Sequence, residues 1–165
     1  MRYFAVVVLA LLAACNDPLT PEERAARDER DIAMVVEANA GSAIPIAPQP
    51  ILYPDIQANS LYGTGCAFVA SDGGLGAVML ARIGDGYMKL DDNLIRFAAD
   101  KGSGELPFGA HARYAGKKYS LELDLASDEG RQTATERVDY NGRLSVRDQK
   151  GHIVYDKNGM FQCGS

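Results

Sequence analysis

Tryptophan is absent from this 165-residue chain, histidine occurs twice and cysteine three times. So few imidazoles and thiols leave little material for a metal cluster. Basic side chains are outnumbered, 17 lysines and arginines against 22 aspartates and glutamates, for a formal charge of −5. Proteins that bind nucleic acid normally turn a basic face to phosphate, so no nucleic-acid partner is expected. Long apolar runs are also missing beyond the first dozen residues, and that one run is too short for a spanning helix with ordinary flanks. What remains, 47% apolar and 24% charged residues, is the makeup of one folded domain.

The first fifteen residues carry an address. Arg2 supplies a short positive n-region, and residues 3–12 (YFAVVVLALL) form an apolar h-region of the length that secretory signals use. Small residues follow, and the run Leu12-Ala13-Ala14-Cys15 resembles the lipobox of bacterial lipoproteins. The resemblance implies that residues 1–14 are removed as a signal peptide. It also implies that the Cys15 thiol receives a diacylglycerol and that the new amino group is acylated, typically with palmitate. The competing reading is an ordinary secretory signal that leaves Cys15 as a free thiol, a liability in an oxidising compartment. Two or more acyl chains, at about 0.8 kcal/mol per buried CH2, give a stable membrane anchor. The expected location is therefore the bacterial cell envelope, held to a membrane through lipid at Cys15 and facing the periplasm. Asn16 in place of aspartate leans toward the outer membrane over the inner.

Residues 15–60 read as a lipidated tether, a helix and a linker. Thr20-Pro21-Glu22-Glu23 has the grammar of a helix start, with a capping hydroxyl, a proline in the first turn and a glutamate at the third position. A helix over residues 21–39 follows, with Gly41 as its stop. Pairs such as Glu23 with Arg27 and Arg24 with Asp28 have i,i+4 spacing, each worth a few tenths of a kcal/mol at most. Ile32, Val35 and Val36 make a short apolar stripe. Residues 42–60 carry Pro45, Pro48, Pro50 and Pro54, which forbid a continuous helix and favour extended chain. That segment is either a spacer or a strap lying in a groove on the domain, because Ile44, Ile46, Ile51, Leu52 and Tyr53 are apolar for a solvated linker.

From residue 61 to 165 the period changes to two. Tyr119, Leu121, Leu123 and Leu125 alternate with Ser120, Glu122, Asp124 and Ala126, the pattern of a strand with one buried face. Leu144 and Val146 alternate with Arg143, Ser145 and Arg147 in the same way. Turn chemistry interrupts these runs at Asp72-Gly73-Gly74, Asp91-Asp92-Asn93, Asn141-Gly142 and Asn158-Gly159, among others, and Asn-Gly is a strong hairpin signal. Ten strands are expected, near 66–70, 75–83, 86–91, 93–99, 110–115, 118–126, 133–140, 143–148, 151–156 and 159–163. So many hairpins in sequence imply an all-β antiparallel meander closing into a small barrel or sandwich.

With Cys15 given to lipid, Cys66 and Cys163 remain, one at the first expected strand and one at the last. A disulfide between them requires the two ends of the β-domain to be neighbours, as closure would make them. A reactive thiol pair would want a Cys-x-x-Cys spacing and basic activators, and neither is present.

Residues that could carry chemistry are sparse, and no catalytic, cofactor-binding or metal-binding residue is assigned. His111 and His152 lie far apart and read as structural. No Gly-x-Ser-x-Gly elbow occurs. Asp91-Asp92 and Asp128-Glu129 fall at turns without the alternating oxygen spacing of a calcium loop. Tyr62, Tyr87, Tyr114, Tyr119, Tyr140 and Tyr155 could offer rim sites for a glycan or protein, or could simply be strand residues. Residues 101–109 (KGSGELPFG) form the longest flexible break in the domain, the expected mobile functional loop.

A lipobox, a small antiparallel domain with a cysteine at each end, and residues 84–96 (GDGYMKLDDNLIR) look like the small uncharacterised lipoproteins of Gram-negative bacteria. The arrangement is also similar to the membrane-bound inhibitors of C-type lysozyme, compact lipid-anchored barrels with a stapling disulfide. In that family a serine-bearing loop enters the lysozyme cleft, and the counterpart here is Ser103, ahead of Ala112-Arg113-Tyr114. This chain departs from the family in its longer intervening segment and its lack of tryptophan. The expected function is a non-catalytic binding or structural β-domain with an envelope protein or glycan as partner. The alternatives are lysozyme inhibition and an envelope enzyme with convergent His, Ser, Asp or Glu groups.

Overall fold

The computed structural model describes residues 20–74 and 76–165, so the leader and Cys15 lie outside the described residues. The chain divides into two compact units, the first ending at Gly41 and the second running Ser42–Ser165. The first contains the helix α1 (Pro21–Ala40). Its start is a capping box: Thr20 N donates to the Glu23 carboxylate at 2.8 Å and Glu23 N donates to Thr20 Oγ1 at 3.2 Å. Glu23 therefore turns back on the cap rather than forward to Arg27, because the exposed backbone N–H groups of the first turn are the better partner. Gly41, at φ 70°, stops the helix. Ile32, Val35 and Val36 stay exposed.

In the second unit, a short helix α2 (Tyr53–Asn59) precedes nine strands among the described residues. They are β1 (Gly65–Ala70), β2 (Met79–Arg82), β3 (Asp85–Leu90), β4 (Asn93–Ala99), β5 (Arg113–Ala115), β6 (Tyr119–Leu125), β7 (Arg131–Ala134), β8 (Arg137–Asp148) and β9 (Ile153–Gly164). All pairings are antiparallel, in the order β6-β5-β4-β3-β2-β1-β9-β8-β7. A further pairing of β6 with β8 closes eight strands into a barrel, and β7 is one extra strand beside the first residues of β8. The expected all-β small barrel is thus the fold.

Two expected hairpins are not turns. β8 runs straight through Asn141-Gly142 and β9 through Asn158-Gly159, so the strands expected at 151–156 and 159–163 are one, and that at 143–148 continues the second half of the one expected at 133–140, which a turn at 135–136 separates from β7. Gly142 and Gly159 face each other across the ladder, and neither adopts a positive φ. A Cβ on Gly142 would meet Asp124 O at 2.4 Å and the Phe161 ring at 2.7 Å. One on Gly159 would meet Val69 O at 2.2 Å and the Phe68 ring at 2.7 Å. The missing side chains make room for the Phe68–Phe161 ring pair, with centroids 4.8 Å apart.

The barrel is filled. Phe68, Phe97, Phe161, Met79, Met88, Tyr114, Leu121, Leu144 and Val146 all point inward and are fully buried. The disulfide joins Cys66 to Cys163, opposite each other on β1 and β9. At that end the β4–β5 connection folds over the core: Leu106 and Phe108 pack on it, and Cys66 Sγ lies 3.5 Å from Pro107 O. Residues 110–112 belong to this cap, so β5 is shorter than expected.

The proline-rich segment closes the other end. Ile46 N donates to Val154 O, Gln49 N to Lys89 O and Ile51 N to Ala77 O. Gln49 also clamps the β3–β4 turn, its amide donating to Asp92 Oδ1 at 3.1 Å and its carbonyl accepting from Asp92 N at 2.7 Å. Of the two readings of residues 42–60, strap rather than free spacer is the observed one, and Ile51 is the part of it that is buried. Asp55 of α2 then ion-pairs with Lys89 at 2.9 Å.

Candidate binding groove

Because the interior is occupied by the protein's own side chains, the outward positions of the strands are the places for chemistry. On β5, β6 and β8 those positions carry charge in rows. Arg113 lies opposite Glu122, Glu122 opposite Ser145, and Asp124 opposite Arg143. A groove of about 510 Å3 runs over this face, bordered by the charged and polar side chains of Arg113, Glu122, Asp124, Arg143, Ser145 and Arg147 among others. A second groove of about 290 Å3 shares Arg113, Glu122 and Arg147 with the first and adds Asp100 and Ser120.

The charges there are unequally satisfied. Arg143 is held by Asp156 on β9, whose carboxyl also accepts from Ser145 Oγ at 3.1 Å. The Arg143 guanidinium keeps Asp156 below the usual carboxylate range, and Asp156 in turn raises Arg143. Arg147 donates one bond, to Gly151 O at 3.1 Å. Arg113 reaches Asp100 only at 4.0 Å. Among the described residues, the side-chain carboxylates of Glu122 and Asp124 have no hydrogen bond or ion pair, and Asp124 acts on Arg143 through its charge alone.

Ser103 stands at one edge of this region, but its hydroxyl is committed. It donates to Asp100 O at 2.6 Å and accepts from Arg113 N at 3.1 Å. The residue thus fastens the β4–β5 connection to the start of β5. Gly102 N donates to Asp100 Oδ1 and Ser103 N to Asp100 O, so residues 101–109 form a self-bonded cap rather than the loose segment expected from composition.

The two histidines are not brought together with a shared carboxylate. His152 Nδ1 lies 3.1 Å from Asp148 Oδ2, and His152 N and Lys150 N both donate to Asp148 Oδ1 at 2.9 Å. Burial pushes the Asp148 carboxyl up, and the bonds from His152 and Lys150 outweigh it and lower it. That cluster braces the β8–β9 turn. His111 N donates to Tyr114 Oη, and its Nδ1 is buried without a partner. Neither histidine borders the two grooves.

A different carboxylate organises the outer face of β2, β3 and β4. Asp85, 8% exposed, accepts from Arg82 Nε at 2.9 Å, Tyr87 Oη at 3.0 Å and Arg96 Nε at 3.2 Å. Burial raises its carboxyl, but the bonds from Arg82, Tyr87 and Arg96 and the charge of Arg82 win, and it sits below the ordinary range. Tyr114 donates to Arg82 O, and its own burial raises its phenol. Tyr140 belongs to the core and Tyr119 and Tyr155 pack against it, so of the six candidate rim tyrosines Tyr62, 57% exposed, is the one on open surface.

The groove side chains were visible in the sequence only as the polar members of alternating strands. No known protein family, curated protein or solved structure matches this chain.

Proposed function

We propose that the chain is a lipid-anchored protein of the bacterial cell envelope, facing the periplasm, whose barrel is a non-catalytic binding module. The observation that carries the binding half is the contrast between an interior consumed by apolar side chains and an open charged groove on β5, β6 and β8 with two carboxylates that make no hydrogen bond or ion pair. The lipid half rests on the Leu12-Ala13-Ala14-Cys15 run. An envelope protein or a glycan is the partner class.

The test is twofold. Mass measurement of the chain extracted from membranes should show cleavage before residue 15 and three acyl chains, and Cys15→Ser should leave it unlipidated and in the soluble fraction. Crosslinked neighbours recovered with the wild-type chain should be lost from Glu122→Ala/Asp124→Ala. A bare thiol at position 15 sinks the anchor, and an identical neighbour set for both proteins sinks the groove.

Lysozyme inhibition is the second reading. What favours it is an eight-stranded barrel stapled between first and last strands, with a serine-bearing connection at the stapled end. Undiminished lysis by a C-type lysozyme at micromolar chain would remove it.

A further inference from the structure

We propose that the groove on β5, β6 and β8 is a site for a short zwitterionic peptide, one whose ammonium groups seat on Glu122 and Asp124 and whose free carboxylate seats on Arg113 or Arg147. The proposal rests on the groove being the binding face, and deepens that reading by naming the ligand's chemistry.

Charge placement carries the argument. Glu122 and Asp124 are two residues apart on the outward face of β6, which separates their Cα atoms by roughly 7 Å at the rise of an extended strand. Both are exposed at the groove, and neither is neutralised by a bond. An anionic ligand would meet these two carboxylates first, and a purely cationic one would leave the flanking arginines unused. Arg113 and Arg147 stand on the neighbouring strands, each about 5 Å from β6 in the pairing direction. A ligand presenting two positive groups about 7 Å apart, with a carboxylate a strand-width to one side, matches both carboxylates and the arginine on the side it takes, Arg113 on β5 or Arg147 on β8.

Arg143 is not counted among the ligand groups, because Asp156 already holds it. Asp124 faces Arg143 across the ladder without a hydrogen bond to it, and its charge adds to that of Asp156 in raising Arg143. Guanidinium groups suit carboxylates because their fork geometry presents two parallel donors. Individual exposed ion pairs are weak, so affinity must come from several at once.

The probe is the tripeptide Lys-Ala-Ala with free termini, which carries an α-ammonium, an ε-ammonium and one carboxylate. Titrated into the full chain, 15N-labelled, it should shift backbone amides at residues 112–113, 120–124 and 143–147. The same peptide acetylated at the amine and amidated at the carboxyl should bind about tenfold more weakly. Glu122→Gln/Asp124→Asn should lose about tenfold and Arg113→Ala several-fold, with the rest of the amide spectrum unchanged as proof of folding. The proposal is overturned if the groove amides stay still at about 10 mM peptide, if the capped peptide binds as well, or if the variants bind undiminished. A shift by chitotriose with the peptide silent overturns it in favour of a glycan. Peptide binding at the groove together with an unchanged neighbour set in cells would keep this site while removing the partner assignment above.

Discussion

Gly142 and Gly159 show how a residue type can mean opposite things in one chain. After asparagine, glycine signals a turn because it tolerates positive φ. Here both glycines are extended, and their value is the absent side chain that lets the rings of Phe68 and Phe161 cross the strands. Gly159→Ala would drive a methyl into Val69 O and the Phe68 ring, an overpacking that costs about 2–3 kcal/mol. Urea titration of the variant should show that loss; an unchanged midpoint would mean the rings repack freely. Gly151, at φ 85°, is the contrasting case, since it makes the β8–β9 turn by its backbone conformation. Which use a glycine serves depends on what lies opposite it, and that is long-range information absent from an Asn-Gly pair.

At the scale of elements, the alternating strands were legible because burial on one face is written locally, in steps of two. β1, β3, β4 and β6 sit within about a residue of where alternation places them. The helix start was legible for the same reason, since Thr20 and Glu23 satisfy each other within four residues. The groove was not. Arg113, Glu122 and Arg147 become neighbours only when β6 pairs with both β5 and β8, and the β6–β8 pairing spans the whole β7 excursion. The strap was half legible: its apolar residues marked it as buried, and nothing local named Val154, Lys89 and Ala77 as its partners. Ile51 is its most buried residue, 5% exposed. Ile51→Ala should cost about 2–4 kcal/mol and should open the strap before the barrel. Limited proteolysis would then cut within residues 42–52 while the β-core remains protected; simultaneous loss of both would show that strap and barrel unfold as one.

At the scale of the whole molecule, closure depends on joining distant ends. The bond between Cys66 and Cys163 spans a separation of 97 residues, for which chain entropy gives about 4–5 kcal/mol as an upper figure. Cys66→Ala/Cys163→Ala should therefore unfold at markedly lower urea while leaving the β6–β8 side of the barrel unchanged in its amide shifts. Stability should also depend on acid. Asp55, Asp72, Asp85, Asp148 and Asp156 all lie below the ordinary carboxylate range in the folded chain. Their unfolded value is about 3.9. As pH falls toward and past that value, the unfolded chain takes up protons before the folded one does, so folding is progressively disfavoured. The contribution is complete at neutral pH, begins to fade below about pH 5, and is lost as each group passes its own lowered value. Four of the five are near solvent and screened, which makes them weak. Asp85 is the buried one, bonded to Arg82, Tyr87 and Arg96, and should supply most of the slope. Thermal melts from pH 7 to pH 2.5 should then show Asp85→Asn starting lower and falling less steeply than wild type, while Asp156→Asn runs nearly parallel to it. Equal slopes for wild type and Asp85→Asn would mean that the acid sensitivity is spread over the surface, and that the outer face of β2, β3 and β4 is held by packing rather than by its buried charge.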